Sequence, residues 1–264
     1  MPASSTVLGD LTIDVGDDGV AVVEIHRPPS NFFDAALIQS ISEAYEQLDA
    51  DRACRAIVLC SEGKHFCAGA NFGAPAATSS TPTAAPAPDL YTEAARMIEA
   101  KTPVVAAVQG AAIGGGLGLA CSADFRVGCT ETRMAANFAQ LGFHHGFGLT
   151  ITLPPIIGQQ KSLDLLYTGR RVAGEEAFAM GLLDRFVETD EVRREAHRFA
   201  AEIAASAPLA VASIRATMRG EIGARYRAAT AREGIEQGRL RATADFREGI
   251  QASSERRTPK FGGS

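Results

Sequence analysis

Residues 103–123 carry no charged side chain. A stretch of that length could cross a membrane, which takes about 20 apolar residues. Gly110, Gly114, Gly115, Gly116 and Gly118 dilute its hydrophobicity, however, and Gln109 sits inside it. The stretch instead reads as a buried strand, a glycine turn and a buried helix. Three consecutive glycines between strand and helix let the backbone approach a neighbour closely and leave unpaired N–H groups at the helix start. Those groups, reinforced by the helix dipole, suit a negatively charged oxygen. The same triplet could also serve only as a tight crossing. Elements buried on all sides need a sizeable core, and 264 residues with 46% hydrophobic content supply one.

The rest of the chain supports one α/β core. Leu11, Ile13 and Val15 alternate with polar residues, residues 16–19 turn, and Val20, Val22 and Val23 lead a return strand, which predicts a hairpin. Asp34 offers a cap to a helix whose apolar face is Leu37, Ile38, Ile41, Tyr45 and Leu48. The run Ala56-Ile57-Val58-Leu59-Cys60 predicts a strand buried on both faces. Residues 73–88 turn to Ala, Pro, Ser and Thr and predict a mobile loop. Asp89 caps the next helix. After about Val172 the pattern is helical, with a long segment over residues 224–250 broken at Gly234 and Gly238. The expected organisation is a core over residues 1–200 and a helical C-terminal region over 201–264.

Charge and cysteine usage narrow the partners. A net charge of −5 argues against nucleic acid or an anionic membrane. The five cysteines form no Cys-x-x-Cys pair and no zinc spacing, so they read as reduced, buried thiols of a cytoplasmic protein. No metal site is expected, and residues 1–10 lack the basic and apolar regions of a leader.

Two segments carry the chemistry: Gly63-Lys64-His65-Phe66-Cys67-Ala68-Gly69-Ala70-Asn71, directly after a buried strand, and the glycine turn Gly114-Gly115-Gly116. The dinucleotide fingerprint fails, because Leu119 and Cys121 stand where its third glycine would fall. No Walker lysine and no Gly-x-Ser-x-Gly elbow occurs.

Together, in this order, the two segments resemble the enoyl-CoA hydratase/isomerase family, the crotonase superfamily. The resemblance runs from Ile25-His26-Arg27-Pro28 through Leu166-Tyr167-Thr168-Gly169-Arg170 and Gly181-Leu182-Leu183-Asp184 to the tail. It implies a spiral of ββα units, a helical C-terminal region used in trimerisation, a homotrimer or dimer of trimers, and a CoA thioester as substrate or ligand with no further cofactor. It implies that the Ala70 and Gly115 backbone N–H groups form an oxyanion hole, with Ala68, Gly114 and Gly146 lining the substrate site. An enolate oxygen held by two fixed donors gains strongly, since one such donor is worth ~2.7–4 kcal/mol of barrier.

The family's two catalytic glutamates are missing. Gly118 stands two residues past the triplet, and Asn137-Phe138 replaces the family's Pro-Glu pair. Neither Gly118 nor Phe138 transfers a proton; Asn137 could orient water or substrate, and Phe138 fills space. Candidate replacements are His144 and His145, which titrate near neutrality, although both could be satisfied structural histidines. His65 reads as structural, Cys67 as a buried thiol without an activating partner, Asp124 as a turn anchor and Glu131 as solvated. Arg256, Arg257 and Lys260 are either a solvated end or contacts to CoA phosphates. Three functions remain open: a hydratase/isomerase-type enzyme using His144 or His145, a decarboxylase of a malonyl-type ester, and a non-catalytic acyl-CoA binder.

Overall fold

A computed structural model describes residues 5–70 and 89–264. The loop expected at 73–88 lies outside the described residues. The strands are β1 (Thr6–Leu8), β2 (Leu11–Val15), β3 (Val20–Ile25), β4 (Ala56–Ser61), β5 (Val104–Val108), β6 (Ala111–Ile113), β7 (Phe125–Cys129), β8 (Arg133–Ala135), β9 (Arg171–Ala173) and β10 (Arg185–Val187). The first five helices are α1 (Ala35–Ala50), α2 (Leu90–Ile98), α3 (Gly115–Ser122), α4 (Leu149–Ile157) and α5 (Gln159–Thr168). The other five are α6 (Gly174–Ala179), α7 (Val192–Ala204), α8 (Pro208–Arg219), α9 (Ile222–Arg241) and α10 (Ala244–Ser254).

The main sheet runs β1-β2-β3-β4-β5-β7-β10. Its first two pairings are antiparallel and the remaining four parallel. The expected hairpin is present, with Leu11 opposite Ile25 and Val15 opposite Ala21. Every residue of β4 and β5 is buried, because helices cover both faces. Ile57, Leu59, Ala106 and Val108 join α1, α2 and α3 in one core. The alternate residues Val58, Cys60, Val105 and Ala107 meet Val192, Ala196, Ala200 and Ala204 in another. The four-residue spacing of that second set places one face of α7 flat on the sheet.

Local signals place the helices as expected. Asp34 accepts from Leu37 N at the start of α1, and Asp89 accepts from Thr92 N at the start of α2. Asp124 accepts from Val104 N, Arg215 and Arg219, which ties α8 to the sheet. It is the turn anchor its position suggested. All five cysteines are free and buried.

Two expectations are corrected. The glycine turn is interrupted by β6, which pairs with β8 and, through it, β9 in a second three-stranded sheet. The three residues of β6 were too short to show a period. The helix expected to break at Gly234 and Gly238 runs through both. The break falls at Thr243, whose hydroxyl accepts from Phe246 N and starts α10; a cap outweighs two helix-weakening glycines. Among the described residues no single helix is long and apolar enough to cross a membrane.

Candidate active site

The two chemistry-bearing segments meet edge to edge. After β4 the chain returns beside β6: Phe66 N donates to Gln109 O, Cys67 N to Ala111 O and Ile113 N to Cys67 O. This ladder brings Gly116 against the Cys67 carbonyl so closely that no Cβ fits. Gly69 and Gly114 both adopt positive φ, 91° and 58°, where the chain turns away from the ladder. Ala70 and Gly115, next along each segment, therefore open onto one cavity. Their neighbours' N–H groups are used, Gly114 donating to Ala135 O and Phe33 to Gly69 O. Among the described residues the Ala70 and Gly115 N–H groups donate to nothing. For Gly115 this follows from its place in the first turn of α3.

That cavity holds about 360 Å³ and brings together Ala68, Ala70, Gly114, Gly115, Asn137, Phe138 and Gly146. Its walls are aromatic, with Phe33 and Phe147 rings 5.2 Å apart and Phe138 and Phe143 rings 5.5 Å apart. The Phe33 ring lies directly against the Gly115 Cα, so this glycine is also a packing requirement. Apolar walls around two unpaired N–H groups suit an acyl group with its carbonyl at one end.

Comparison with known proteins gives the family. The enoyl-CoA hydratase/isomerase family model matches residues 16–264. The chain belongs to that family. An enoyl-CoA isomerase/hydratase of Zymoseptoria tritici is 31% identical over 261 residues, covering 92% of this chain and 84% of the relative. Against the much longer peroxisomal fatty acid beta-oxidation multifunctional protein of Oryza sativa, the chain is 35% identical and spans 27% of the relative's length and 74% of its own. The crystal structure of an enoyl-CoA hydratase/isomerase from Pseudoalteromonas atlantica superposes with a TM-score of 0.84 at 28% identity, over 96% of this chain and all of that one. The crotonase-type fold is thus the observed one.

The two positions that the resemblance assigns to glutamates, Gly118 and Phe138, are occupied by packing. A Cβ on Gly118 would lie 2.7 Å from Phe147 Cβ and 2.9 Å from its Cδ1, so the space of the first carboxylate belongs to the Phe147 ring. Phe138, at the second position, is buried edge-on against Phe143. Asn137 sits beside Gly114, its Oδ1 3.3 Å from where a Cβ would project there.

The histidines proposed as replacements face elsewhere. His144 and His145 line a separate cavity of about 630 Å³ with Thr150, Tyr167 and Leu240. Phe143 and Phe147 of the same loop turn inward, which directs the intervening imidazoles outward. The two rings stack at 4.1 Å, and His144 Nδ1 lies 2.8 Å from the His145 carbonyl. His145 Nε2 is 2.8 Å from Thr150 Oγ1, which in turn donates to Glu233. Glu233 is fully buried and also accepts from the Gly148 and Thr150 N–H groups. Burial pushes the Glu233 carboxyl up despite those donors. Burial, then the neighbouring His144 charge, pushes His145 down to about 4. The pair lies 3.8 Å apart, and burial favours its neutral forms. Its evident work is to pin the loop that carries Phe147.

Several lining residues were not visible in the sequence. Tyr91 of α2 donates to Gln237 Oε1, and Gln237 Nε2 donates to the His144 carbonyl. Burial pushes the Tyr91 hydroxyl up to about 12. Arg241, Ile250 and Ser253 complete the wall from α9 and α10. Only the packing of the last two helices over the core reveals these. Among the described lining residues there is no carboxylate and no imidazole, and residues 71–88 contain no ionisable side chain to add.

Elsewhere the sequence readings hold. His65 Nδ1 accepts from Ala111 N, a structural role. Cys67 is buried, and burial pushes its thiol up to about 12. Arg257 of the tail is held by Glu248 and Glu255.

Proposed function

We propose that this protein binds an acyl-CoA thioester with its carbonyl oxygen on the Ala70 and Gly115 N–H groups and stabilises the enolate that forms there. The observation that carries this reading is the pair of unpaired N–H groups opening onto one aromatic cavity. Two fixed dipoles in such an environment stabilise developing negative charge strongly, because they need not reorganise as it appears. The CoA ester is the substrate; the reaction itself needs no metal or redox group.

How the enolate forms follows from what lines the cavity. Abstraction of an α-proton needs a base within hydrogen-bond reach, and the lining offers none. Loss of carbon dioxide from a malonyl-type thioester makes the same enolate without one: the C–C bond electrons move onto the thioester carbonyl as CO₂ leaves. A proton then returns to the α-carbon, and Tyr91 is the one lining residue with an ionisable hydroxyl. Decarboxylation is accordingly the route this site supports best. Hydration or isomerisation is the second reading, favoured by the names of the relatives, and would proceed here without the two glutamates.

One experiment separates these. The purified protein is incubated in deuterated water with crotonyl-CoA and, separately, with malonyl-CoA and methylmalonyl-CoA, and product masses are followed. Release of CO₂ with deuterium at the α-carbon supports the proposal. Addition of water to crotonyl-CoA would replace it with the hydratase reading. Saturable binding with no product from any ester would make the protein a non-catalytic acyl-CoA binder.

Trimeric assembly is part of the same proposal. Leu209 and Met218 of α8 are 86% and 80% exposed, apolar surface of the kind that subunit contacts cover.

A further inference from the structure

We infer that the cavity selects acyl-CoA esters whose acyl group itself carries a carboxylate, read by the Arg241 guanidinium at the end of α9. The inference rests on the thioester carbonyl lying at Ala70 and Gly115.

Arg241 is the one charged side chain among the described residues that line the cavity. It makes no ion pair and donates no hydrogen bond among the described residues. Residues 71–88 contain no acid that could pair with it. Of the other α9 arginines, Arg227 is paired with Glu99, and Arg232 and Arg239 with Glu236, while Arg225 lies outside the described cavity lining. Arg241 is also exposed, so its guanidinium is a solvated charge on the cavity wall that an anionic group of a bound ligand can meet. Its guanidinium carbon lies 5.8 Å from the Phe143 ring centroid, within reach of a cation–π contact that holds it at the wall. Ser253 of α10 lines the same cavity and adds a hydroxyl.

The other described residues lining the cavity are neutral, and six of them are aromatic. A planar guanidinium in that setting matches a carboxylate in a way that uncharged acyl tails cannot use. A cavity of about 360 Å³ accommodates an acyl group rather than a nucleotide, which places the anion on the acyl side of the thioester. The same guanidinium could instead meet a CoA phosphate at the mouth, and the test distinguishes the two sources.

The test measures dissociation constants for length-matched pairs, succinyl-CoA against butyryl-CoA and glutaryl-CoA against valeryl-CoA, with free CoA as a third arm. The wild-type protein is expected to bind the carboxylated member of at least one pair about tenfold or more tightly, the factor a charge-assisted hydrogen bond supplies. Arg241→Met brings the ratio near one by weakening the carboxylated ester selectively, and Arg241→Lys keeps part of it. A wild-type ratio of one or below overturns the inference. So does an equal loss for both esters and free CoA in Arg241→Met, which assigns the arginine to a CoA phosphate. If neither ester binds more tightly than free CoA, the thioester reading falls, and this inference with it.

Discussion

Gly118 is where the family would place a carboxylate, and its surroundings predict a measurable energetic coupling. The three atoms nearest a Cβ built there all belong to Phe147: Cβ at 2.7 Å, Cδ1 at 2.9 Å and Cγ at 3.1 Å. Phe147 cannot retreat, since it is 2% exposed and packed at a tilt against Phe33. Overpacking of this kind costs about 1–3 kcal/mol, and contacts this short point to the upper end. Replacing glycine by alanine inside a helix returns about 1 kcal/mol. Gly118→Ala should therefore destabilise the protein by about 2 kcal/mol. Phe147 itself holds φ at 56°, which costs a bulky residue about 1–2 kcal/mol and a glycine almost nothing. Phe147→Gly should lose about 3–5 kcal/mol of ring burial, less that relief. In the Phe147→Gly background, Gly118→Ala should become stabilising by about 1 kcal/mol, giving a coupling of about 3 kcal/mol. Phe147→Ala keeps the Cβ and should relieve only part of the clash. Urea unfolding followed by circular dichroism closes the double-mutant cycle. Additivity within about 0.5 kcal/mol would refute the claim that Phe147 occupies this space. The same packing predicts that Gly118→Glu alone will not install a working carboxylate.

Other outcomes follow from the same geometry. Gly115→Pro removes a donor, but the Phe33 ring against Gly115 requires a Phe33→Ala background; turnover there should fall about 100–1000-fold relative to Phe33→Ala alone, and unchanged turnover would sink the oxyanion assignment. His145, ordinarily near 6.5 and held at about 4 in the fold, contributes stability that is complete above pH 6.5. That contribution should be lost as pH falls from 6.5 towards 4, by at most about 3 kcal/mol. Glu233, pushed up by burial, acts with the opposite sign, its contribution complete below the ordinary carboxylate value and lost as pH rises from there through the raised one. Thermal midpoints against pH should show an acid slope that His145→Gln flattens; an identical slope in the variant would count against a buried neutral histidine. Thr243→Ala deletes the cap of α10 and should cost about 1 kcal/mol, read as a shift in urea midpoint.

Most of the fold, and half of the site, could be read along the chain because they depend on local order. Alternating hydrophobicity marked β2, a continuous apolar run marked β4, side-chain caps at Asp34 and Asp89 marked helix starts, and glycines marked where backbones touch. The Ala70 and Gly115 N–H groups belong to this class: each is a backbone group displaced by one residue from a glycine that must turn. Their convergence needs only the ladder between Cys67 and Ala112. The absence of both glutamates was equally plain from residue identity.

Tertiary packing alone decided which side chains face the cavity. Phe143, His144, His145 and Phe147 lie within five residues of one loop, yet Phe147 lines one cavity, the two imidazoles line another and Phe143 borders both. Irregular backbone has no period from which a direction can be read. That direction is set by Glu233, 83 residues from Thr150, and by Gln237, 93 residues from His144. Arg241, Tyr91 and Phe147 acquire their places in the same way, from long-range contacts of α2 and α9 with the core. The sequence by itself determined the family and most of the sheet, and it pointed to the Ala70 and Gly115 N–H groups, because those rest on backbone and local pattern. Only the folded chain decided that, among the described residues, no carboxylate or imidazole lines the cavity and an arginine without an ion pair does, because side-chain direction and charge pairing are properties of neighbours distant in sequence.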